Sequence, residues 1–260
     1  TNVSRGNFVP DADPSTTTRA DRDDTDGDGL LDGEEDRDQD GRVGAGETDP
    51  RDADTDDDGV LDGAEPSPFA DSDGDGLVDA LDVDSDDDGL FDGTELGVTT
   101  TSSATDVARG FFVPDADTSS TTDPRRADTD RGSVIDGVED RNGDGRIDAG
   151  ETNPNLGADD VPAADTDGDG LADVVEARLG TDPRDADSDD DGVLDGAEPN
   201  YAVDSDGDGL INPLDPDSDD DGLYDGTELG VTTTSSATDT SRGHFVADAD
   251  PSTTTNPLLA

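Results

Sequence analysis

The sequence lacks cysteine, methionine and tryptophan, and only 3% of its 260 residues are aromatic. Hydrophobic residues make up 27%, which is too few to offset the conformational entropy of a compact domain of this length. Disulfides cannot compensate for the weak core, as they do in many small secreted modules, because there is no cysteine. No hydrophobic run approaches the roughly 18 residues of a membrane span, and the N-terminal segment does not have the pattern of a signal peptide.

Negative charge dominates the rest of the composition. The sequence has 73 acidic and 15 basic residues, and its formal net charge at pH 7 is -58. Such a chain stays expanded unless something neutralises its carboxylates. Repulsion between phosphates and carboxylates excludes nucleic acids and anionic membrane surfaces as partners. The acidic residues recur at fixed offsets around glycine, and this regularity indicates ligands for multivalent cations rather than a merely acidic surface.

The chain contains long internal repeats. The segment Arg-Gly-x-Phe-Val-x-Asp-Ala-Asp begins at Arg5, Arg109 and Arg242, and residues 90–106 recur almost unchanged as residues 223–239. We therefore predict two modules and the start of a third linker. Because the sequence begins with Thr1 rather than methionine, we expect it to be part of a longer precursor. The predicted units are module 1, residues 1–104, with a linker at 1–23 and five loops in 24–95; module 2, residues 105–237, with a linker at 105–127 and six loops in 128–228; and the third linker copy at 238–260.

Eleven segments resemble a twelve-residue calcium loop, D-x-[DN]-x-[DN]-G-x5-E. Residues 24–35 (DTDGDGLLDGEE) match it in full. Carboxylates at positions 1, 3 and 5 bind the ion in such a loop, and the glycine at position 6 makes a sharp turn. Position 7 offers its backbone carbonyl, position 9 a direct or water-mediated contact, and position 12 a bidentate carboxylate. A single match has an appreciable false-positive rate, but eight complete matches in one chain predict calcium binding.

The predicted ligands fall into three groups according to how well their loop fits the pattern. The eight complete loops contribute Asp24, Asp26, Asp28, Leu30, Asp32, Glu35; Asp36, Asp38, Asp40, Arg42, Glu47; Asp54, Asp56, Asp58, Val60, Asp62, Glu65; Asp84, Asp86, Asp88, Leu90, Asp92, Glu95; Asp140, Asn142, Asp144, Arg146, Asp148, Glu151; Asp165, Asp167, Asp169, Leu171, Asp173, Glu176; Asp187, Asp189, Asp191, Val193, Asp195, Glu198; and Asp217, Asp219, Asp221, Leu223, Asp225, Glu228. Two loops that end in aspartate, and are therefore expected to bind more weakly, contribute Asp71, Asp73, Asp75, Leu77, Asp79, Asp82 and Asp204, Asp206, Asp208, Leu210, Asn212, Asp215. The eleventh loop contributes Asp128, Asp130, Asp136 and Glu139; we expect it to be weak or empty, because Gly132 replaces a carboxylate and Ser133 replaces the turn glycine.

The spacing of the loops excludes true EF-hands. Loop starts at residues 24 and 36, 71 and 84, 128 and 140, and 204 and 217 lie only 12 or 13 residues apart, which leaves no room for the flanking helices of an EF-hand. The only helix that we predict covers residues 171–179 (LADVVEARL), with Gly180 as its C-terminal cap. The ions must therefore lie in close succession along the chain.

Residues 24–35, 36–50 (DRDQDGRVGAGETDP) and 164–183 (ADTDGDGLADVVEARLGTDP) resemble the thrombospondin type 3 repeat in its cysteine-free bacterial form. The resemblance covers about two thirds of the chain. It implies an extended chain wound around a row of calcium ions, in a secreted or cell-surface protein. We accordingly predict a mostly irregular, calcium-organised repeat, solenoid-like or rod-like, with short β segments and little helix.

The sequence leaves three functions open, none of them enzymatic. There is no nucleophile paired with a base and no phosphate-binding glycine loop. The leading hypothesis is an extracellular rod, stalk or fibre subunit that associates with itself through its linkers. The second is an adhesin that displays linker side chains such as Phe8, Phe111, Phe112 and Phe245 to a protein or glycan. The third is a calcium reservoir or mineral-nucleating protein.

Overall fold

The computed structural model describes residues 12–259. Residues 1–11 and Ala260 lie outside the described part, and with them Phe8 and most of the first copy of the linker motif. Helices in the described part are short: α1 (Asp32–Glu35), α2 (Asp92–Glu95), α3 (Asp136–Glu139), α4 (Asp173–Leu179), α5 (Asp225–Glu228), and the 3-10 helices Asp62–Ala64, Asp79–Leu81, Asp195–Ala197 and Asn212–Leu214. None of them is long and apolar enough to cross a membrane.

The predicted helix at residues 171–179 is present as α4, and Gly180 closes it in a left-handed conformation at φ 96°. The prediction missed that positions 9–12 of most loops also wind into a single turn. In α1, for example, the Glu35 N–H donates to the Leu31 carbonyl at 3.2 Å. A single turn has no hydrophobic periodicity, so the sequence pattern does not reveal it.

The prediction of short β segments is wrong for the described residues, where the only β pairing is an isolated bridge between Ala149 and Glu151. The residue at position 8 is extended, as at Leu31 with φ -96° and ψ 144°, but the backbone groups on either side of it are already engaged. In the first loop the Leu30 N–H donates to the Asp28 carboxylate at 2.7 Å, and the Asp32 N–H donates to the Asp23 carbonyl at 3.0 Å. These local bonds leave no regular ladder for a neighbouring strand.

Seven of the loops lie one after another in a single row. We call them row loops; they start at Asp24, Asp54, Asp84, Asp128, Asp165, Asp187 and Asp217. The other four are called side loops and start at Asp36, Asp71, Asp140 and Asp204. Most neighbouring row loops are joined by a glycine N–H at position 10, which donates to the position-5 carboxylate of the preceding row loop. These bonds run from Gly63 to Asp28 at 2.8 Å, from Gly93 to Asp58 at 2.6 Å, from Gly137 to Asp88 at 3.0 Å, and from Gly226 to Asp191.

The position-10 glycines are needed because the row loops approach one another so closely. A Cβ atom at Gly93 would lie 2.3 Å from the Asp58 carbonyl oxygen, and one at Gly137 would lie 2.2 Å from that of Asp88. Real Cβ atoms essentially never come so near. Any side chain at these positions would therefore separate neighbouring loops.

The step from the loop at Asp128 to the loop at Asp165 is made differently, because position 10 of the latter is Val174. Here α3 and α4 meet in the main apolar cluster, which contains the buried residues Val134, Val138, Leu171, Ala172, Val175 and Tyr201. Burial of such side chains contributes about 1.5–3 kcal/mol each. This step of the row therefore relies on hydrophobic contact where the others rely on a glycine.

The linkers fold back on the module that precedes them. The Thr105 hydroxyl donates to the Asp54 carboxylate, and Arg109 pairs with Asp57 at 3.1 Å. The Phe112 ring covers Gly59, where a Cβ atom would lie 2.6 Å from the ring. The third linker repeats these contacts 133 residues later, with Thr238 on Asp187, Arg242 on Asp190 and Phe245 on Gly192.

The two modules also touch beside the row. The Asn200 side-chain amide donates to the Asp75 carboxylate at 3.0 Å, and Arg178 donates to the Gly89 carbonyl at 2.9 Å. A second small apolar cluster joins Val83 and Phe111 of the first half to Val203. Module 2 therefore packs against the side of module 1 as well as following it.

Candidate calcium sites

The backbone of each loop holds its acidic side chains in one arrangement. In most loops the position-5 N–H donates to the position-3 side chain, as Asp28 does to Asp26 at 3.3 Å. The position-7 N–H donates to the position-5 carboxylate, as Leu30 does to Asp28 at 2.7 Å. One oxygen of each carboxylate is thus fixed by the backbone, while the loop brings the carboxylates together.

Carboxylate oxygens of each cluster lie within 4.8 Å of one another. Five of the clusters are Asp24, Asp26 and Asp28; Asp28, Glu35 and Asp62; Asp36, Asp38 and Glu47; Asp54, Asp56 and Asp58; and Asp71, Asp73 and Asp75. Four of them group residues that the sequence assigns to a single loop. The cluster of Asp28, Glu35 and Asp62 was not anticipated, because Asp62 comes from the next row loop.

Position 12 is the most buried acidic position of the row loops. Its glutamate is between 0% and 6% exposed in all seven row loops. Each of these side chains has at least one buried carboxylate oxygen without a hydrogen-bond partner; the residues are Glu35, Glu65, Glu95, Glu139, Glu176, Glu198 and Glu228. An unpaired buried carboxylate is very costly, and hard oxygen ligands of this kind suit Ca²⁺. The row loops therefore fit a divalent cation.

The pKa values of these carboxylates are raised. Burial, followed by repulsion from Asp26 and Asp28, raises the pKa of Glu35 to about 8. Burial also raises the pKa of Asp62 to about 7 and that of Glu176 to about 7. Like charges have been brought together out of water, which disfavours the ionised form. A cation at the centre of each cluster would reverse this effect.

Position 9 has a structural role that the calcium-loop pattern does not indicate. In the loop at Asp54, the two Asp62 oxygens accept bonds from the Thr55 N–H at 2.7 Å and from its hydroxyl at 2.6 Å. Asp92 is bound in the same way by Ser85. Position 9 therefore closes its own loop through the hydroxyl residue at position 2 and also faces the preceding cluster. Whether it contacts the ion directly or through water stays a prediction.

Hydroxyl residues outside the loops support the glutamates, and the calcium-loop pattern does not include them. The Thr122 and Thr255 hydroxyls each donate to a position-12 carboxylate, of Glu95 and Glu228 respectively, at 2.7 Å. The Thr48 hydroxyl donates to Glu35 at 3.2 Å. Both Glu95–Thr122 and Glu228–Thr255 are separated by 27 residues, so the two long repeats were the only sequence signal that could have paired them.

Some carboxylates of the side loops are bonded by donors of the protein itself. In the first of these loops, Glu47 accepts bonds from the N–H groups of Arg37 at 2.7 Å and Gly44 at 2.9 Å. In the loop at Asp140, Arg146 pairs with Asp148 at 2.8 Å. These carboxylates are partly neutralised by the protein itself. The assignment of individual ligands in the side loops stays a prediction, as does that in the row loops.

Residues 24–38 and 165–186 match the family described as Bacterial TSP3 repeat. The chain carries bacterial TSP3 repeats at these two segments. The resemblance inferred from the loop sequences is confirmed, and with it the assignment to a calcium-binding repeat protein. The matched TSP3 segments contain the row loops at Asp24 and Asp165, and the remaining row loops repeat their pattern of bonded carboxylates. No curated protein matches the chain.

Proposed function

We propose that this chain is an extracellular structural protein in which calcium ions stiffen the row of loops and in which modules join end to end. The unpaired glutamate oxygens of the row loops support the calcium part. Extracellular calcium is abundant enough to fill loops with dissociation constants of about 10⁻⁴ to 10⁻³ M. The net charge left after binding favours an elongated assembly, because neighbouring modules repel one another.

The contact between module 1 and module 2 supports the end-to-end part. Across this boundary Gly137 donates to Asp88 at 3.0 Å. The linker of module 2 spans this boundary, because its Thr105 hydroxyl donates to the Asp54 carboxylate of module 1. Within module 2, its Ala116 N–H donates to the Asp144 carbonyl at 2.7 Å and its Ser120 hydroxyl donates to the Gly145 carbonyl. The boundary thus joins a row loop to a row loop, and the linker connects module 1 to a side loop of module 2.

Counterparts of these groups occur at both ends of the described row. Asp221 corresponds to Asp88 and Leu223 to Leu90 in the long repeat. Asp88 is 0% exposed and Leu90 is 3% exposed, whereas Leu223 is 44% exposed and Asp221 lies on the surface. At the other end Gly33 corresponds to Gly137, and a Cβ atom there would meet no described atom within 4 Å. One end therefore presents the acceptor of this contact, and the other end presents the donor.

The third linker is also suited to receive a side loop. Residues 248–255 (DADPSTTT) are identical to residues 11–18. In the first copy, the Thr16 hydroxyl lies against the Asp13 and Gly41 carbonyls. The corresponding Thr253 hydroxyl bonds to the Asp250 carbonyl at 2.9 Å. A further module that lacks its own first linker would supply the carbonyl that corresponds to Gly41, because in a second copy of this chain that carbonyl already accepts from its own Thr16.

The packing of the linker aromatic residues does not favour the adhesin hypothesis. Phe111 is buried in the apolar cluster with Val83 and Val203. Phe112 and Phe245 cover Gly59 and Gly192. These rings are used inside the protein, so the described linkers do not display them to a partner.

The test is light scattering and negative-stain imaging at several protein concentrations, in millimolar Ca²⁺ and after chelation with EGTA. We expect elongated assemblies in Ca²⁺ that dissociate and expand in EGTA. Leu223→Asp should weaken association at least tenfold, because it places a charge on the exposed end of the row. Leu210→Asp is the matched control, since Leu210 holds the same loop position and is 42% exposed but belongs to a side loop.

Two results would count against the proposal in different ways. Particles that keep their size and shape without calcium would contradict the role of the ions. Monomers at all concentrations in Ca²⁺, or equal effects of the two substitutions, would contradict end-to-end association while leaving calcium binding intact.

A further inference from the structure

The row loop at Asp128 has the poorest sequence match, yet its backbone keeps the arrangement of the other loops. The Gly132 N–H donates to Asp130 at 2.8 Å, and the Ser133 N–H donates to Asp128 at 2.9 Å. These are the bonds that positions 5 and 6 make elsewhere, for example from Asp40 to Asp38 and from Gly41 to Asp36. Only the position-5 carboxylate is missing from this loop's own sequence.

Asp160 supplies a carboxylate at that place. In the ten other loops, the position-7 N–H donates to the loop's own position-5 carboxylate; the donors are Leu30, Arg42, Val60, Leu77, Leu90, Arg146, Leu171, Val193, Leu210 and Leu223. In the loop at Asp128, the corresponding Val134 N–H donates to Asp160 Oδ2 at 3.2 Å. A Cβ atom on Gly132 would lie 2.0 Å from the same oxygen. The Asp160 carboxylate therefore occupies the space of the side chain that residue 132 lacks.

The backbone around Asp160 is fitted closely to the loop. A Cβ atom on Gly132 would lie 2.5 Å from the Gly157 Cα, and one on Gly157 would lie 2.7 Å from the Gly132 Cα. Both residues must be glycine for the two segments to approach so closely. Gly157 and Asp160 belong to the insertion at residues 155–183, which has no counterpart in module 1. The missing carboxylate and its replacement thus occur in the same module.

Unpaired oxygens converge on this loop. Glu139 is 1% exposed, and no donor lies within hydrogen-bonding geometry of either of its carboxylate oxygens, although the nearby Thr152 hydroxyl offsets part of the rise in its pKa caused by burial. Asp130 Oδ2 and Asp160 Oδ1 are likewise buried without a partner. A buried glutamate with both oxygens unpaired requires a compensating charge. Among the row loops, the loop at Asp128 is the one that the calcium-loop pattern predicted to be weak, yet it has these unpaired buried oxygens.

We propose that the loop at Asp128 is a full divalent-cation site, with Asp128, Asp130 and Glu139 as its own ligands and Asp160 as a ligand donated by the insertion. The oxygen-rich set suits Ca²⁺ better than Mg²⁺, which demands near-ideal octahedral geometry and retains several waters. Binding at this site also ties the insertion to α3. This inference rests on the calcium binding proposed above and adds a ligand that lies outside every predicted loop.

The test measures Ca²⁺ alone, by equilibrium dialysis, on the full chain and on two variants. Asp160→Asn keeps the side-chain shape and removes its charge. Asp159→Asn is the control, because Asp159 is the adjacent residue and lies on the surface. We expect Asp160→Asn to weaken one site at least tenfold, so that the number of ions bound at intermediate Ca²⁺ falls by one. Asp159→Asn should bind as the unaltered chain does.

Amide hydrogen exchange provides the second readout and shows whether the variant is folded. Calcium should protect residues 156–160 in the unaltered chain but not in Asp160→Asn, while the loops at Asp24 and Asp54 stay protected in both. Equal ion counts and equal protection of residues 156–160 in all three proteins would overturn the inference and leave the other sites unaffected. An unaltered chain that binds no calcium would instead refute the proposed function itself.

Discussion

The amide of Gly137 donates to Asp88 Oδ2 at 3.0 Å across the boundary between the two modules. The same kind of contact joins row loops inside each module, as between Gly93 and Asp58. The boundary is therefore continuous with the row, and this backbone contact joins the acidic clusters on its two sides. Disturbing this contact should affect the whole chain rather than a single loop.

We predict that Gly137→Ala destabilises the calcium-bound protein by about 2 kcal/mol, since overpacking a close contact typically costs about 1–3 kcal/mol. The added Cβ atom would lie 2.2 Å from the Asp88 carbonyl oxygen, so the two row loops must separate. Thermal unfolding followed by circular dichroism in excess Ca²⁺ measures the effect.

Gly33→Ala is the matched control for this prediction, because Gly33 holds the same position in its loop and its Cβ atom would meet no described atom. That variant should remain within about 0.5 kcal/mol of the unaltered chain. Equal losses for the two alanine variants would show that position 10 matters for helix-turn conformation and not for contact between loops.

Ser133→Gly should stabilise the protein. Ser133 occupies the turn position of its loop at φ 90°, a left-handed conformation that costs a non-glycine residue about 1–3 kcal/mol. Part of the gain is lost to the greater entropy of glycine in the unfolded chain. We expect a net gain of about 1 kcal/mol, or a rise of about 2–4 °C in the melting temperature for a protein of this size.

The reverse exchange, Gly29→Ser, provides the comparison in the first loop, where the turn residue has φ 112°. It should lower the melting temperature by a similar amount. If Ser133→Gly leaves the melting temperature unchanged while Gly29→Ser lowers it, the backbone at residue 133 is not strained as the structure indicates.

In calcium-free solution, acidification should make the chain more compact. Burial raises the pKa of Glu35 to about 8, and that of Asp62 and Glu176 to about 7. The folded state without metal therefore binds more protons than the unfolded state, whose carboxyl groups have their ordinary pKa values near 4. The stability that these carboxyl groups contribute to the metal-free folded state is fully present below a pH of about 4, and it is lost as the pH rises through about 7 to 8.

The measurement for this prediction is the radius of gyration from small-angle scattering of dialysed, metal-free protein between pH 5 and pH 8. The radius should increase with pH towards the value of about 56 Å for an unfolded chain of this length. A parallel series in 1 M salt shortens the screening length to about 3 Å and removes general charge repulsion. A radius that does not depend on pH in either series would contradict burial of the carboxylates in the metal-free state.

Most of the calcium-loop arrangement could be predicted from the sequence, because each loop folds through bonds between residues no more than ten positions apart. The bond from Leu30 to Asp28 and those from Thr25 to Asp32 are of this kind. The helix at Asp173–Leu179 was predicted for the same reason, since its apolar periodicity and Gly180 cap are local signals. The β segments were predicted wrongly, because β-prone composition does not show that the backbone groups are already bonded within the loops.

What the sequence alone determined is that this protein is a string of acidic loops poor in apolar residues, with its carboxylates at offsets typical of cation ligands, since composition and fixed offsets state that directly. Only the tertiary structure decided which loops form the row, why Gly63, Gly93 and Gly137 must be glycine, and that Asp160 completes a loop lying well before it in the chain. Such contacts join groups tens of residues apart through backbone approach, and no local spacing encodes them. The physical reason is that the free space and the N–H donors of a loop fix where a carboxylate can bind, and any part of the chain that reaches this place can supply that carboxylate.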